Sequence, residues 1–166
     1  MTVTTQKSTE YTNATATPPV NNGTTEQHGR VRIAYFTHNQ SGAGDATSSV
    51  ALCKLPAGKV RLLLGSSFMY VNWTTASATI DLGWDAYTKQ DGTTATADPN
   101  GLLDGLSVDT VGLYSGEDLC TLAAVKAAGG TFVFESKDGV VLRATSQDTA
   151  IADDDDLVGY FLYVID

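Results

Sequence analysis

The chain alternates between short apolar runs of period two and polar, glycine-bearing breaks. In RVRIAYF (30–36), Val31, Ile33 and Tyr35 share one side and Arg30, Arg32 and Ala34 the other, the alternation of a half-buried strand. A polar stretch, HNQSGAGDATSS (38–49), reads as a long loop, and Val50 to Cys53 resumes as a strand. LPAG (55–58) is a turn, because proline presets one turn position and glycine tolerates positive φ. In KVRLLLG, Val60, Leu62 and Leu64 point inward and Lys59 and Arg61 outward. SFMYVNW (67–73) and SATIDLGW (77–84) are two further strands, and the short TTA between them predicts a hairpin. TFVFES (131–136) and VVLRATS (140–146) flank Lys137-Asp138-Gly139 as a second expected hairpin, and LVGYFLYVI (157–165) is the last strand.

Three segments depart from this rhythm. Residues 88–105 are acidic and punctuated by glycine, and read as a loop. The interval from Ser115 through LCTLAAVKAAGG predicts one short helix, with Ser115 as N-cap, Asp118 in a capping-box position and Gly129-Gly130 as the stop. Residues 1–28 are Thr, Asn, Gly, Gln and Ser with a Pro18-Pro19 pair, too poor in apolar surface to offset the entropy of ordering. They are expected to be an extended or disordered N-terminal arm, leaving 29–166 as one domain. The fold class expected is all-β, a β-sandwich or jelly roll with one short helix and a flexible arm.

Composition narrows the function. With 166 residues, 42% hydrophobic and 17% charged, the chain is long enough for one domain with a core. Ten Lys+Arg against 19 Asp+Glu give −9, which argues against nucleic acid as a partner. No run approaches the roughly 18 apolar residues of a membrane span, and the first residues lack the apolar stretch of a secretory signal. The charge is lopsided. Residues 1–80 hold six basic and three acidic residues, net +3, and residues 81–166 hold four and sixteen, net −12. Arg30, Arg32, Lys59 and Arg61 would make one basic strand face if their strands were neighbours, a candidate contact between copies or with a larger lattice of complementary charge.

Catalytic constellations are missing from the pattern. His28 lies in the arm and His38 opens a polar loop, neither beside a G-x-S-x-G serine. There is no P-loop, and GAG (42–44) lacks the third glycine of a dinucleotide site. Cys53 and Cys120 are read as buried free thiols, and the lone Cys and His residues do not make a zinc site. Asp153 to Asp156, and Asp98 with Asn100 and Asp104, are oxygen-rich. Neither follows the spacing of a calcium loop, so solvated turns are expected. Trp73, Trp84, Tyr70 and Tyr87 are read as core rather than a sugar-binding platform. No catalytic residue, cofactor or metal is expected.

Three stretches carry a resemblance: VALCKLPAGKVRLLLGSS (50–67), TIDLGWDAYTKQDGTTATADPNGLLDGLSVDT (79–110) and AAGGTFVFESKDGVVLRATSQDTAIADDDDLVGYFLYVID (127–166). In that order they resemble a family of small virion structural proteins of tailed bacteriophages, including cyanophages. The resemblance covers the body from Arg30 onward. It implies a capsid decoration or cement protein with no enzymatic activity, bound as a homo-oligomer, a trimer favoured, to the major capsid protein. It implies a place on the capsid surface of the virion after synthesis in the host bacterial cytoplasm. The alternative is a head-fibre, tail or receptor-binding module that binds carbohydrate through Trp73 or Trp84.

Overall fold

Twelve strands form in the computed structural model, which describes residues 7–8, 12–13, 15–18, 20, 29–120 and 131–165. In chain order they are β1 (Val31–Asn39), β2 (Ser49–Leu55), β3 (Gly58–Leu63), β4 (Phe68–Asn72), β5 (Thr79–Trp84) and β6 (Tyr87–Thr88). They continue as β7 (Thr94–Ala95), β8 (Asp98–Ser107), β9 (Gly112–Ser115), β10 (Thr131–Ser136), β11 (Val140–Ser146) and β12 (Asp156–Ile165). The large sheet runs β10-β3-β12-β4-β9, with β1 on the other edge of β12. The small sheet runs β2-β11-β5-β8, and β6 and β7 pair as a separate ribbon. All pairings are antiparallel. The fold is an all-β sandwich of the jelly-roll kind.

The core lies between the two sheets. Val60, Leu62, Met69, Val71, Phe134, Leu157 and Phe161 from the large sheet meet Leu52, Leu55, Ile80, Leu82, Val140 and Leu142 from the small one, all buried. Their alternation with less buried neighbours follows from the two-residue period, as in β11, where Val140, Leu142, Ala144 and Ser146 face in. Gly159 sits opposite Phe36 on β1, and a Cβ there would run into the Phe68 carbonyl oxygen and the Phe36 ring. The missing side chain lets the Phe36 ring settle 5.0 Å from that of Phe161.

Both expected hairpins are absent as strand pairs. β4 belongs to the large sheet and β5 to the small one, so residues 73–78 carry the chain across the sandwich, with Trp73 and Ala78 buried on the way. β10 and β11 are likewise in different sheets. Their shared partner is the segment 49–63, because β10 pairs with β3 and β11 with β2. The two long segments bend together at a corner, at Lys137–Gly139 and at Pro56-Ala57. Gly139 and Gly58 there have φ of +91° and +112°.

One further expectation is corrected, and another falls largely outside the described residues. Residues 88–105 are not a loop throughout: β8 occupies 98–107 and pairs with β5 through two register shifts. Its proline and glycines hide the strand in the sequence, yet an edge strand tolerates both. Gly101 is needed there because a Cβ would strike the Trp84 ring. The second concerns the helix: residues 116–119 are a turn and Cys120 a bend, while 121–130 lie outside the described residues. One element of the expected capping box is present, since Ser115 N–H donates to Asp118 Oδ2 at 3.2 Å. Most of the proposed arm, 1–28, also lies outside the described residues.

Candidate interaction surfaces

The four basic residues gather at one end of the large sheet but not on one face. β12 separates β1 from β3, so the two strands are not neighbours. Arg61 is in register with Val164, which is in register with Val31, so Arg61 and the odd residues of β1 share the outer face. Lys59 joins Arg61 there and lies 4.0 Å from Glu135. Arg61 donates from Nη1 to Thr131 Oγ1 at 3.0 Å. Arg32 is in register with Tyr163, on the opposite face, and Arg30 precedes the strand; both are exposed.

The opposite end is acidic, and its aspartates are built into the loops. Asp155 is buried; its Oδ1 accepts from the Thr74 backbone N–H and hydroxyl, each at 3.0 Å, and its Oδ2 accepts from Ala152 N–H at 2.8 Å. Asp153 Oδ1 accepts from Gly42 N–H at 2.6 Å, and Asp156 Oδ1 from the Asn39 amide at 3.0 Å. These carboxylates point to different partners, as consecutive residues entering a strand must. Among the described residues no group of three or more His, Cys, Asp or Glu is placed to hold a metal ion.

The outer face of the small sheet is polar. Arg143 grips Asp85 with two parallel bonds, Nε to Oδ1 at 2.6 Å and Nη2 to Oδ2 at 2.7 Å, and reaches Ser49 with Nη1. Those bonds hold the Asp85 carboxyl below its ordinary range and raise the guanidinium. Asp81 is buried nearby and accepts from Gly105 N–H at 2.7 Å. Burial pushes its pKa up, with the charges of Asp104 and Asp148 adding to the rise.

The remaining candidates are interior except Tyr70, which the pattern reads as core and which is instead exposed on the outer face of the large sheet. Trp73 is buried, and Trp84 is half-buried, edge-on to Phe134 at 5.3 Å, with its indole N–H donated to the Thr96 carbonyl. His38 is half-buried, its Nε2 3.1 Å from Gln40 Oε1. Cys53 and Cys120 are free thiols, and burial raises the Cys53 pKa to about 12. Among the described residues no helix is long and apolar enough to cross a membrane.

The sequence pattern missed one feature. The apolar side of β1 does not face the core. Val31, Ile33 and Tyr35 are exposed on the outside of the large sheet, and it is Phe36 that packs inward. The available signal was Phe36 itself, the largest residue of the opposite parity.

A sandwich of this topology is the class of protein at hand, and comparison with solved structures finds a similar fold. The chain superposes on one from the cyanophage Pam1 capsid asymmetric unit with a TM-score of 0.52 and 13% identity, over 83% of this chain and 86% of that one. Looser similarity connects it to a chain of infectious bursal disease virus, Gt strain, with TM-score 0.48 and 8% identity. That match covers 84% of this chain and only 33% of the other, so this chain spans about a third of its length. A chain of the acid-stable capsid of Helicobacter pylori bacteriophage KHP30 matches with TM-score 0.37 and 15% identity, over 82% and 94% of the two chains. No protein-family model matches the sequence, and no curated protein matches it.

Proposed function

We propose that this protein is a virion structural protein of a tailed bacteriophage: a non-enzymatic decoration, or cement, protein on the outside of the head. It would bind the major capsid protein as a homo-oligomer, a trimer favoured. The observation that carries this reading is the sandwich shared, over most of both chains, with a component of a cyanophage capsid. The motif order from LPAGKVR to GYFLYVID supports it independently. Attachment to an assembled shell buries surface in every copy. A ligand that binds only the assembled state stabilises that state by mass action. Residues 1–28 would serve as an arm reaching a neighbouring subunit, adding contacts by multivalency.

Copy number in purified particles tests the reading. Hundreds of copies per head fit cement. A few, or a few dozen, would fit a fibre or tail module and overturn it.

A further inference from the structure

Seven of the large apolar side chains exposed on this protein lie on strands of one sheet and point the same way. Among the described residues these are Val31, Ile33 and Tyr35 on β1, 53%, 40% and 71% exposed, Leu113 on β9, two strands beyond β12 and 61% exposed, and Tyr70, Val133 and Val158 on β4, β10 and β12. Registers place them on one face: Tyr35 opposite Tyr160, Tyr160 opposite Phe68, Tyr70 opposite Leu113. An aromatic row crosses the middle of this face, with Tyr35 and Phe68 edge-on to Tyr160 at 5.7 and 4.3 Å. Among the described residues none of the exposed large apolar side chains lies on the small sheet. The exposed apolar surface is therefore concentrated on one side of the sandwich.

We infer that the outer face of the large sheet is where a second copy of this chain docks, an inference that rests on the self-assembling part of the reading above and makes the contact two-fold, a dimer in place of the trimer. Two observations select a copy of the chain as the occupant. The first is area. At ordinary side-chain sizes the seven exposed residues present roughly 600 Å², at the top of the range for the largest apolar patch on a monomer and somewhat below the ~800 Å² that each partner gives in a stable interface. The second is charge. The Val31 end of the face is flanked by Arg30, Lys59 and Arg61, with Glu135 as the one acid beside Lys59, and the Asn39 end by Asp153, Asp154 and Asp156. A copy laid across the aromatic row in the opposite sense brings basic end to acidic end. In addition, among the described residues β1 bonds only to β12, so its other edge borders the docking face.

The test uses the full chain. Tyr35→Glu and Leu113→Glu each place a carboxylate on the face at an exposed position, where folding is not at stake; Ala51→Glu, exposed on β2 of the other sheet, is the matched control. Thermal unfolding confirms that all three fold. Sedimentation equilibrium should show an oligomer for the wild type and the control at ~10 μM, and at least a ten-fold weaker association for the two face variants. Face variants that associate as tightly as wild type, or a wild type that stays monomeric at ~100 μM, would overturn the inference. Attachment to heads is measured in parallel. Variants that keep their oligomer but lose the head would show that the face meets the shell, against this inference and in favour of the cement reading. Monomeric variants, together with a wild type that never binds heads, would do the reverse.

Discussion

Asp155 Oδ1 sits 3.0 Å from both the backbone nitrogen and the hydroxyl of Thr74, fastening the loop before β12 to the segment that crosses from one sheet to the other. The carboxylate is buried and its other oxygen takes the Ala152 N–H, so it organises two chain segments that share no strand pairing. Asp155→Ala should cost about 2–3 kcal/mol, because it leaves donors buried without partners. Asp155→Asn keeps an acceptor for Thr74 and should cost about half as much. Urea unfolding of the three proteins checks both values.

The Arg143–Asp85 pair should show itself in acid. The folded Asp85 pKa lies below the ordinary carboxylate value. Its contribution is therefore complete above that ordinary value and is lost as the pH falls through the lowered one. Arg143→Ala should destabilise by about 1 kcal/mol at pH 7, a modest figure because both groups are partly in solvent. The difference from wild type should shrink as the pH falls through the folded Asp85 pKa. Denaturant midpoints across a pH series measure it.

Asp81 has the opposite sign. Its folded pKa is raised by burial and by Asp104 and Asp148, so its charge costs stability at neutral pH and the cost fades as acid protonates it. Asp81→Asn keeps an oxygen for the Gly105 N–H and removes the charge. Its melting temperature should rise by about 2 °C at pH 7 and match wild type near pH 3. A scanning calorimetry pair at the two pH values decides it.

Gly159 allows the backbone of β4 and the Phe36 ring to approach β12 closely. Gly159→Ala should destabilise by about 2 kcal/mol or more, since a backbone carbonyl is among the atoms in the way. The effect should be larger than for the same change at Gly92, where a Cβ meets nothing within 4 Å. Positive φ at Gly92 sets the cost of that control.

Strand character was legible wherever β-branched and aromatic residues alternate cleanly, as in Val60 to Leu64 and in β11 and β12. Pairing was less so. Asp138-Gly139 signals a sharp turn, and there is one, but a turn residue reports local φ and not whether its two arms bond to each other; here both arms bond to 49–63. β8 was hidden because Pro99 and Gly101 are tolerated only by its edge position, which depends on β5. The basic residues were visible as single charges, but their division between two faces follows from β12 lying between β1 and β3. The apolar side of β1 reads as core because alternation alone does not say which side a sandwich closes on.

On the proposed function the protein strengthens a phage head by binding its outside. Particles made with and without it, heated while DNA release is followed, test this most directly. Release is expected at a higher temperature when the protein is present, by several degrees, because even about 1–2 kcal/mol of binding per site is repeated over the shell. Equal release temperatures, with the protein shown to be on the head, would contradict it.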